Sequence, residues 1–307
     1  MWTYFAIYVD ILCDLCRHTF YSCFLGEKIV FETGFFIYLV YAKKIQVELT
    51  NIGGFDMGQS AFDLLLLVMS GLAVVAFVAL YYVRAGYGIF RTDKWGTSLN
   101  NKIGWMLMEA PVFFVMLYLW WASDVRTDTV PLLFFLLFEL HYFQRSFIFP
   151  FLMKGKSRMP WVIVLLGALF NVFNGLLQGE WLFYLSEYNE AWLSTSSFWM
   201  GLILFFAGMG INLHSDHVIR NLRKPGDTRH YLPRKGMYRY VTSANYFGEL
   251  LEWTGFAVLT CSPAAWVFVL WTFANLDPRA NAIRKRYAEE FGKEALGNRK
   301  RLIPFIY

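Results

Sequence analysis

Seven apolar stretches, separated by loops that alternate between basic and neutral or acidic, constrain this chain more than any other feature. They run over 61–83, 104–122, 130–152, 160–185, 197–219, 244–261 and 263–283, and most reach the ~20 residues that cross a bilayer core. Lipid offers no partner to an open backbone, so each stretch is expected to be helical. The fold class that follows is all-α, a polytopic integral membrane protein with seven transmembrane helices. A composition of 57% hydrophobic and 20% aromatic residues fits that class better than a soluble domain.

The loops give the orientation. One set carries Arg84, Arg91, Lys94 and Lys102, then Lys154, Lys156 and Arg158, then Arg220, Arg223, Lys224, Arg229, Arg234, Lys235 and Arg239. The other holds Arg126 between Asp124 and Asp128, then Glu187 and Glu190, then the short turn 260–263. By the positive-inside rule the first set is cytoplasmic. Seven crossings then leave the N-terminus outside and the C-terminus, with Arg284, Lys285, Arg286, Arg299, Lys300 and Arg301, in the cytoplasm. The membrane is expected to be a bacterial inner membrane or the endoplasmic reticulum, and the chain a monomer. Its net charge of +5 lies in these loops, where orientation and attraction to lipid headgroups account for it. No nucleic-acid partner is expected, since no basic patch accompanies a groove-reading motif.

Residues 1–56 read as a peripheral extension ahead of a core spanning 57–307. Their apolar opening is broken by Asp10, Asp14, Arg17 and His18, and no basic start leads to a small-residue cleavage site. Cys13, Cys16, Cys23 and His18 can be drawn as a zinc or redox site, but helical spacing yields C-x-x-C freely, and no metal is expected.

Polar residues within apolar helices mark cavities or helix contacts. Asn171, Asn174 and Gln178 share one face of the fourth helix, Asn212 and Asp216 one face of the fifth, and Asn245, Glu249 and Glu252 one face of the sixth. Two readings stay open. These groups can pair with one another to hold helices together, or they can line a shared cavity opening toward the basic loop, where an anionic ligand would meet Arg223, Lys224, Arg229 and Arg234. On the second helix Glu109, followed by Pro111, lies in the apolar run 103–121, and a protonated carboxyl there can donate to a substrate oxygen. Tyr142 is a second candidate donor. His141 and Arg145 lie one turn apart on the same helix, where interfacial anchoring is the alternative for each.

Soluble cofactor signatures are missing. Gly208 and Gly210 lie in an apolar helix with no strand before them, which excludes a strand-turn-helix dinucleotide fold. There is no P-loop, no G-x-S-x-G and no H-E-x-x-H.

The ordered set Gly208, Gly210, Asn212, His214 and Asp216, then Leu222-Arg223-Lys224-Pro225-Gly226, then Asn245, Gly248, Glu249, Glu252 and Trp253, then the ending Leu302-Ile303-Pro304-Phe305-Ile306-Tyr307, resembles the steroid 5α-reductase family, nearest its type 2 pattern, from about residue 57 onward. The resemblance implies a seven-helix membrane oxidoreductase that uses NADPH to reduce the 4,5 double bond of a 3-oxo-Δ4 steroid. It implies that Asn212, Asp216, Arg223, Asn245, Glu249 and Tyr287 bind NADPH, entering from the cytoplasm. Glu109 and Tyr142 are implied to be catalytic, polarising the C3 carbonyl of a lipophilic steroid that arrives from the bilayer while hydride goes to C5. Trp105 and Tyr87 resemble further substrate-pocket residues. Three positions depart from the family pattern. Met108 stands where that pattern has Gln. Tyr231 stands before Leu232 and Pro233 in place of an Arg, for which Arg229 or Arg234 would substitute. Ile283 replaces a His, although Arg279 and Tyr287 match. Rival readings are a related membrane reductase of polyprenal, enoyl-CoA or sterol double bonds, and a seven-helix receptor or transporter.

Overall fold

A computed structural model of the chain describes residues 57–83, 86, 88–90, 95–154, 157–223 and 229–307. The extension with its three cysteines, and Tyr87, lie outside the described residues. Seven long helices follow in order: α1 (Gln59–Tyr82), α2 (Asn101–Ala122), α3 (Thr129–Phe143), α4 (Trp161–Glu180), α5 (Ser196–Arg220), α6 (Ala244–Thr260) and α7 (Pro263–Phe291). A three-residue antiparallel ladder, β1 (Ser98–Asn100) on β2 (Arg158–Pro160), pairs Leu99 with Met159 just ahead of α2 and α4.

Five of the helical segments, Gln59–Tyr82, Asn101–Ala122, Thr129–Leu152, Trp161–Leu185 and Ser196–Arg220, are long and apolar enough to cross a membrane. The sixth helix, α6, has 17 residues, just under that measure. In α7 the apolar residues are mixed with Thr272, Asn275, Asp277 and Arg279. The outward faces are apolar, as lipid requires: Leu64, Val68, Leu72 and Val75 on α1 and Leu165, Leu166 and Leu169 on α4 are all exposed. The result is an all-α protein of membrane type.

Two helix pairs position the polar stripes. The pair α2 and α4 leaves the ladder side by side and runs in parallel, with Met108 against Gly167, Val115 against Gly175 and Leu119 against Gly179. The antiparallel pair α5 and α6 makes the closest backbone approach. A Cβ at Gly208 would stand 2.2 Å from the Glu252 backbone nitrogen, and one at Gly248 2.4 Å from that of Asn212. Only glycine permits that approach, and it brings the Asn212–Asp216 and Asn245–Glu252 stripes face to face.

Between the pairs stands α3. Phe134, Phe138 and Tyr142 join Trp253, Phe256 and Phe205 in the main apolar core. After Phe143 the helix widens into a π-turn, Gln144–Ile148, before its last turn Phe149–Leu152. Pro150 lacks the amide that would bond the Ser146 carbonyl and crowds it, and the wider turn accommodates the ring while carrying Arg145.

Candidate functional site

The site has two layers. The first lies where α5 runs into the basic loop. Asn212 Nδ2 donates to the Asn245 carbonyl at 2.9 Å, and Asn245 Nδ2 to Asp216 Oδ1 at 3.2 Å. The Tyr238 hydroxyl, in the turn before α6, donates to Asn245 Oδ1 at 3.2 Å. Burial pushes that phenol well above its usual range. Arg145 reaches in from the π-turn and forks, one nitrogen 3.4 Å from Asp216 and another 3.3 Å from Glu249. Its guanidinium also lies 5.1 Å from the Trp105 ring and 4.6 Å from that of Phe149, a stacked arrangement suited to arginine rather than lysine. Beside them the hydroxyls of Ser215 and Ser243 are buried and have no hydrogen-bond partner among the described residues.

The second layer lies deeper between α2, α3 and α4. Asn171 Nδ2 donates to the Met108 carbonyl at 2.7 Å and to Glu109 Oε2 at 3.3 Å. This contact falls where Pro111 withholds the amide that would bond the Leu107 carbonyl. One turn on, Asn174 Nδ2 donates to the Tyr142 hydroxyl at 3.2 Å, and Gln178 Nε2 to Asn174 Oδ1 at 3.3 Å. The Tyr142 ring is held by Phe138 at 4.8 Å and Trp253 at 5.6 Å between centroids. His141 and Glu252, both buried, share a hydrogen bond of 2.8 Å. Glu109 interacts electrostatically with Arg145, Glu249 and His141, so the layers adjoin.

Of the residues expected from sequence, Glu109 and Tyr142 are each bonded to an α4 asparagine. Asn212, Asp216, Asn245 and Glu249 meet in one cluster, and Arg145 links it to Trp105. Arg223 is exposed at the loop and sits within electrostatic reach of Tyr287, whose phenol burial pushes up to about 12. Arg279 donates from Nε to the Tyr246 hydroxyl at 2.9 Å. Arg229 stacks 5.5 Å over the Tyr231 ring, and Arg234 is exposed. Of the two readings that sequence left open, pairing of these groups between helices occurs here. The part sequence reasoning left unassigned is Arg145. Its signal was its place one turn beyond His141 on a helix whose neighbours carry Glu109, Asp216, Glu249 and Glu252.

The cluster gathers amides and carboxylates, the groups that can meet ribose hydroxyls and a carboxamide, next to two buried hydroxyls without a partner among the described residues, and Arg223 is exposed at the basic loop.

Residues 157–307 match the family model described as 3-oxo-5-alpha-steroid 4-dehydrogenase. The chain is 37% identical over 248 residues to 3-oxo-5-alpha-steroid 4-dehydrogenase 1 of Bos taurus, covering 80% of this chain and 96% of that protein. It is 40% identical over 210 residues to 3-oxo-5-alpha-steroid 4-dehydrogenase 2 of Rattus norvegicus, 68% of this chain and 82% of the other. With Steroid 5-alpha-reductase DET2 of Gossypium hirsutum it shares 34% over 257 residues, 81% and 98% of the two chains. An all-helical frame of membrane type, a carboxyl and a phenol bonded in its interior, and these similarities along most of its length agree: the chain belongs to the 3-oxo-5-alpha-steroid 4-dehydrogenase family.

Proposed function

We propose that this protein is an NADPH-dependent membrane reductase that saturates the 4,5 double bond of a 3-oxo-Δ4 steroid to give the 5α product. The observation that carries the reading is the placing of two oxygen acids, Glu109 and Tyr142, on amides of one α4 face, beside a cluster of amides and carboxylates at the basic loop. Bound NADPH supplies the hydride, two electrons with one hydrogen, that the reduction consumes. Asn212, Asp216, Asn245 and Glu249, with Arg223 and Tyr287 at the loop, hold it. Arg145 keeps Asp216 and Glu249 apart from one another and in place. Trp105 and Tyr87 belong to the steroid pocket.

As hydride reaches C5, negative charge gathers on the C3 oxygen. Hydrogen bonds from Tyr142 and from the Glu109 carboxyl stabilise the charge where it develops, inside an apolar bundle where such bonds are worth more than in water. A proton added at C4 completes the balance: one hydride and one proton across the former double bond. The lipophilic substrate enters from the bilayer, and α1 to α7 cross it seven times, with the basic loops in the cytoplasm.

The test is reduction of testosterone or progesterone with NADPH by membranes holding the full chain. We expect 5α-reduced product from the natural sequence and a loss of roughly 100-fold or more in Glu109→Gln. Asn212→Ala is expected to raise the NADPH requirement. Oxidation of no NADPH with any 3-oxo-Δ4 steroid would overturn the substrate; failure to bind NADPH would overturn the enzyme.

A further inference from the structure

A phenol has one proton, and where it points decides whether Tyr142 can give it to a substrate. In this fold the Tyr142 oxygen accepts from Asn174 Nδ2 at 3.2 Å, which leaves its proton uncommitted to Asn174. An asparagine amide is nearly symmetric in shape, however, and turned over it would offer its oxygen and take that proton. Gln178 opposes the turn. Its Nε2 donates to Asn174 Oδ1 at 3.3 Å, and a turned Asn174 would set two NH2 groups against each other, with Asn174 and Gln178 both fully shielded.

Reversing both amides together would restore the pairing but change what is left over. As they stand, the atom without a partner among the described residues is Gln178 Oε1; reversed, it would be an NH2. Buried N–H groups without partners are rarer than buried carbonyls. The row as it stands runs from Gln178 to Asn174 to Tyr142 and avoids that orphaned NH2. Each acceptance also polarises the next donor, so the O–H that emerges from Tyr142 gives the stronger hydrogen bond.

We propose that Asn174, oriented by Gln178, is a positioning residue that keeps the Tyr142 hydroxyl proton free for the substrate carbonyl oxygen. The inference rests on the reading of Tyr142 as a carbonyl-polarising donor. Neither amide need touch substrate or cofactor. Their contribution is the direction of one proton, which matters most as charge grows on the carbonyl oxygen, so it acts on kcat more than on KM.

The experiment measures kcat, KM and NADPH affinity for Asn174→Leu and Gln178→Leu, each alone and combined with Tyr142→Phe, on testosterone in membranes containing the full chain. Tyr142→Phe is expected to lower kcat roughly 100-fold, and each leucine variant about tenfold, the lesser loss of a donor that is no longer held and polarised (Asn174→Leu) or that a turned Asn174 can claim (Gln178→Leu) rather than removed. KM and NADPH affinity stay near their natural values. Once Tyr142 is phenylalanine, neither leucine lowers kcat further. Independent, multiplying losses would mean a merely structural role and overturn the proposal, as would full activity in either leucine variant. If Tyr142→Phe itself is harmless, the donor reading beneath falls instead. Should Asn174→Leu fail to accumulate, Gln178→Met, which fills the same volume without a donor, decides alone by the same kcat comparison.

Discussion

Arg145 is one cation among acids. It forks between Asp216 and Glu249 with its side chain only 11% exposed, and it rests on two aromatic rings. Removing such a partner leaves two nearly buried carboxylates uncompensated, which costs more than the pair contributes. The buried phenols follow the same logic at alkaline pH. Burial pushes Tyr287 up to about 12 and Tyr238 well above its usual range. A raised phenol binds its proton in the folded chain after the unfolded chain has released it, so stability is full below pH ~10 and falls as pH rises toward ~12. Thermal midpoints measured from pH 9 to pH 12 are expected to fall, and to fall less in Tyr287→Phe. An equal slope in that variant would show the phenol to be free. Residue types and spacings made the polar faces legible in sequence: Asn171 and Asn174 at i, i+3, and an asparagine four residues before an acid in Asn212–Asp216 and Asn245–Glu249, declare shared faces. What spacing could not say is which helix each face meets. That Asn171 reaches Glu109, and Asn174 Tyr142, depends on the register of α4 against α2 and α3, which no single helix encodes.

At the scale of the element, the α5 and α6 pair sets the amide and carboxylate cluster, the proposed cofactor layer, through glycine. Gly208 meets the Glu252 backbone and Gly248 that of Asn212, so any side chain there must push the helices apart. Gly210, two residues on, has nothing within 4 Å of where its Cβ would be. Gly208→Val is therefore expected to cost at least about 1–3 kcal/mol of overpacking and to weaken NADPH binding by separating Asn212 from Asn245. Gly210→Ala is expected to leave both melting temperature and NADPH affinity unchanged. The pair of measurements, thermal midpoint and NADPH titration, checks the packing; equal behaviour of the two variants would sink it. Sequence alone paired neither glycine with a partner. It did place the helices. The expected 197–219 became Ser196–Arg220 and 61–83 became Gln59–Tyr82, because an apolar run ends where its first charges appear. The exception is α7, expected to stop at 283 and in fact continuous to Phe291. Apolarity marks where a helix can leave lipid, and Arg284, Lys285 and Arg286 meet that limit without breaking the backbone pattern.

For the whole molecule the question is whether α6 and α7 cross with the other five, and the loops bear on it. The basic segments touch one another at one end. Lys154 Nζ donates to Asn221 Oδ1 at 2.9 Å, Arg299 to the Pro233 carbonyl at 3.0 Å, and the Thr242 amide to the Lys300 carbonyl at 2.9 Å. The neutral and acidic segments gather at the other, where Tyr188 donates to the Thr260 carbonyl at 2.7 Å and Trp192 to that of Leu259 at 3.0 Å. A helix of 17 residues rises about 26 Å, close to the ~30 Å of a hydrocarbon core, and α6 lies along its whole length against the Gly201–Asp216 part of α5. Two ends of opposite character, joined by every long helix, support seven crossings with Arg234 in the cytoplasm and Asp128 outside. Single cysteines at these two positions, in a chain whose four native cysteines are changed to serine, would be probed in sealed cells with a thiol reagent that cannot cross the membrane. Asp128→Cys is expected to react from outside, and Arg234→Cys only after the membrane is opened. Reaction of both from outside would leave an even number of crossings among α3, α4 and α5, and the positive-inside reading would fail with it.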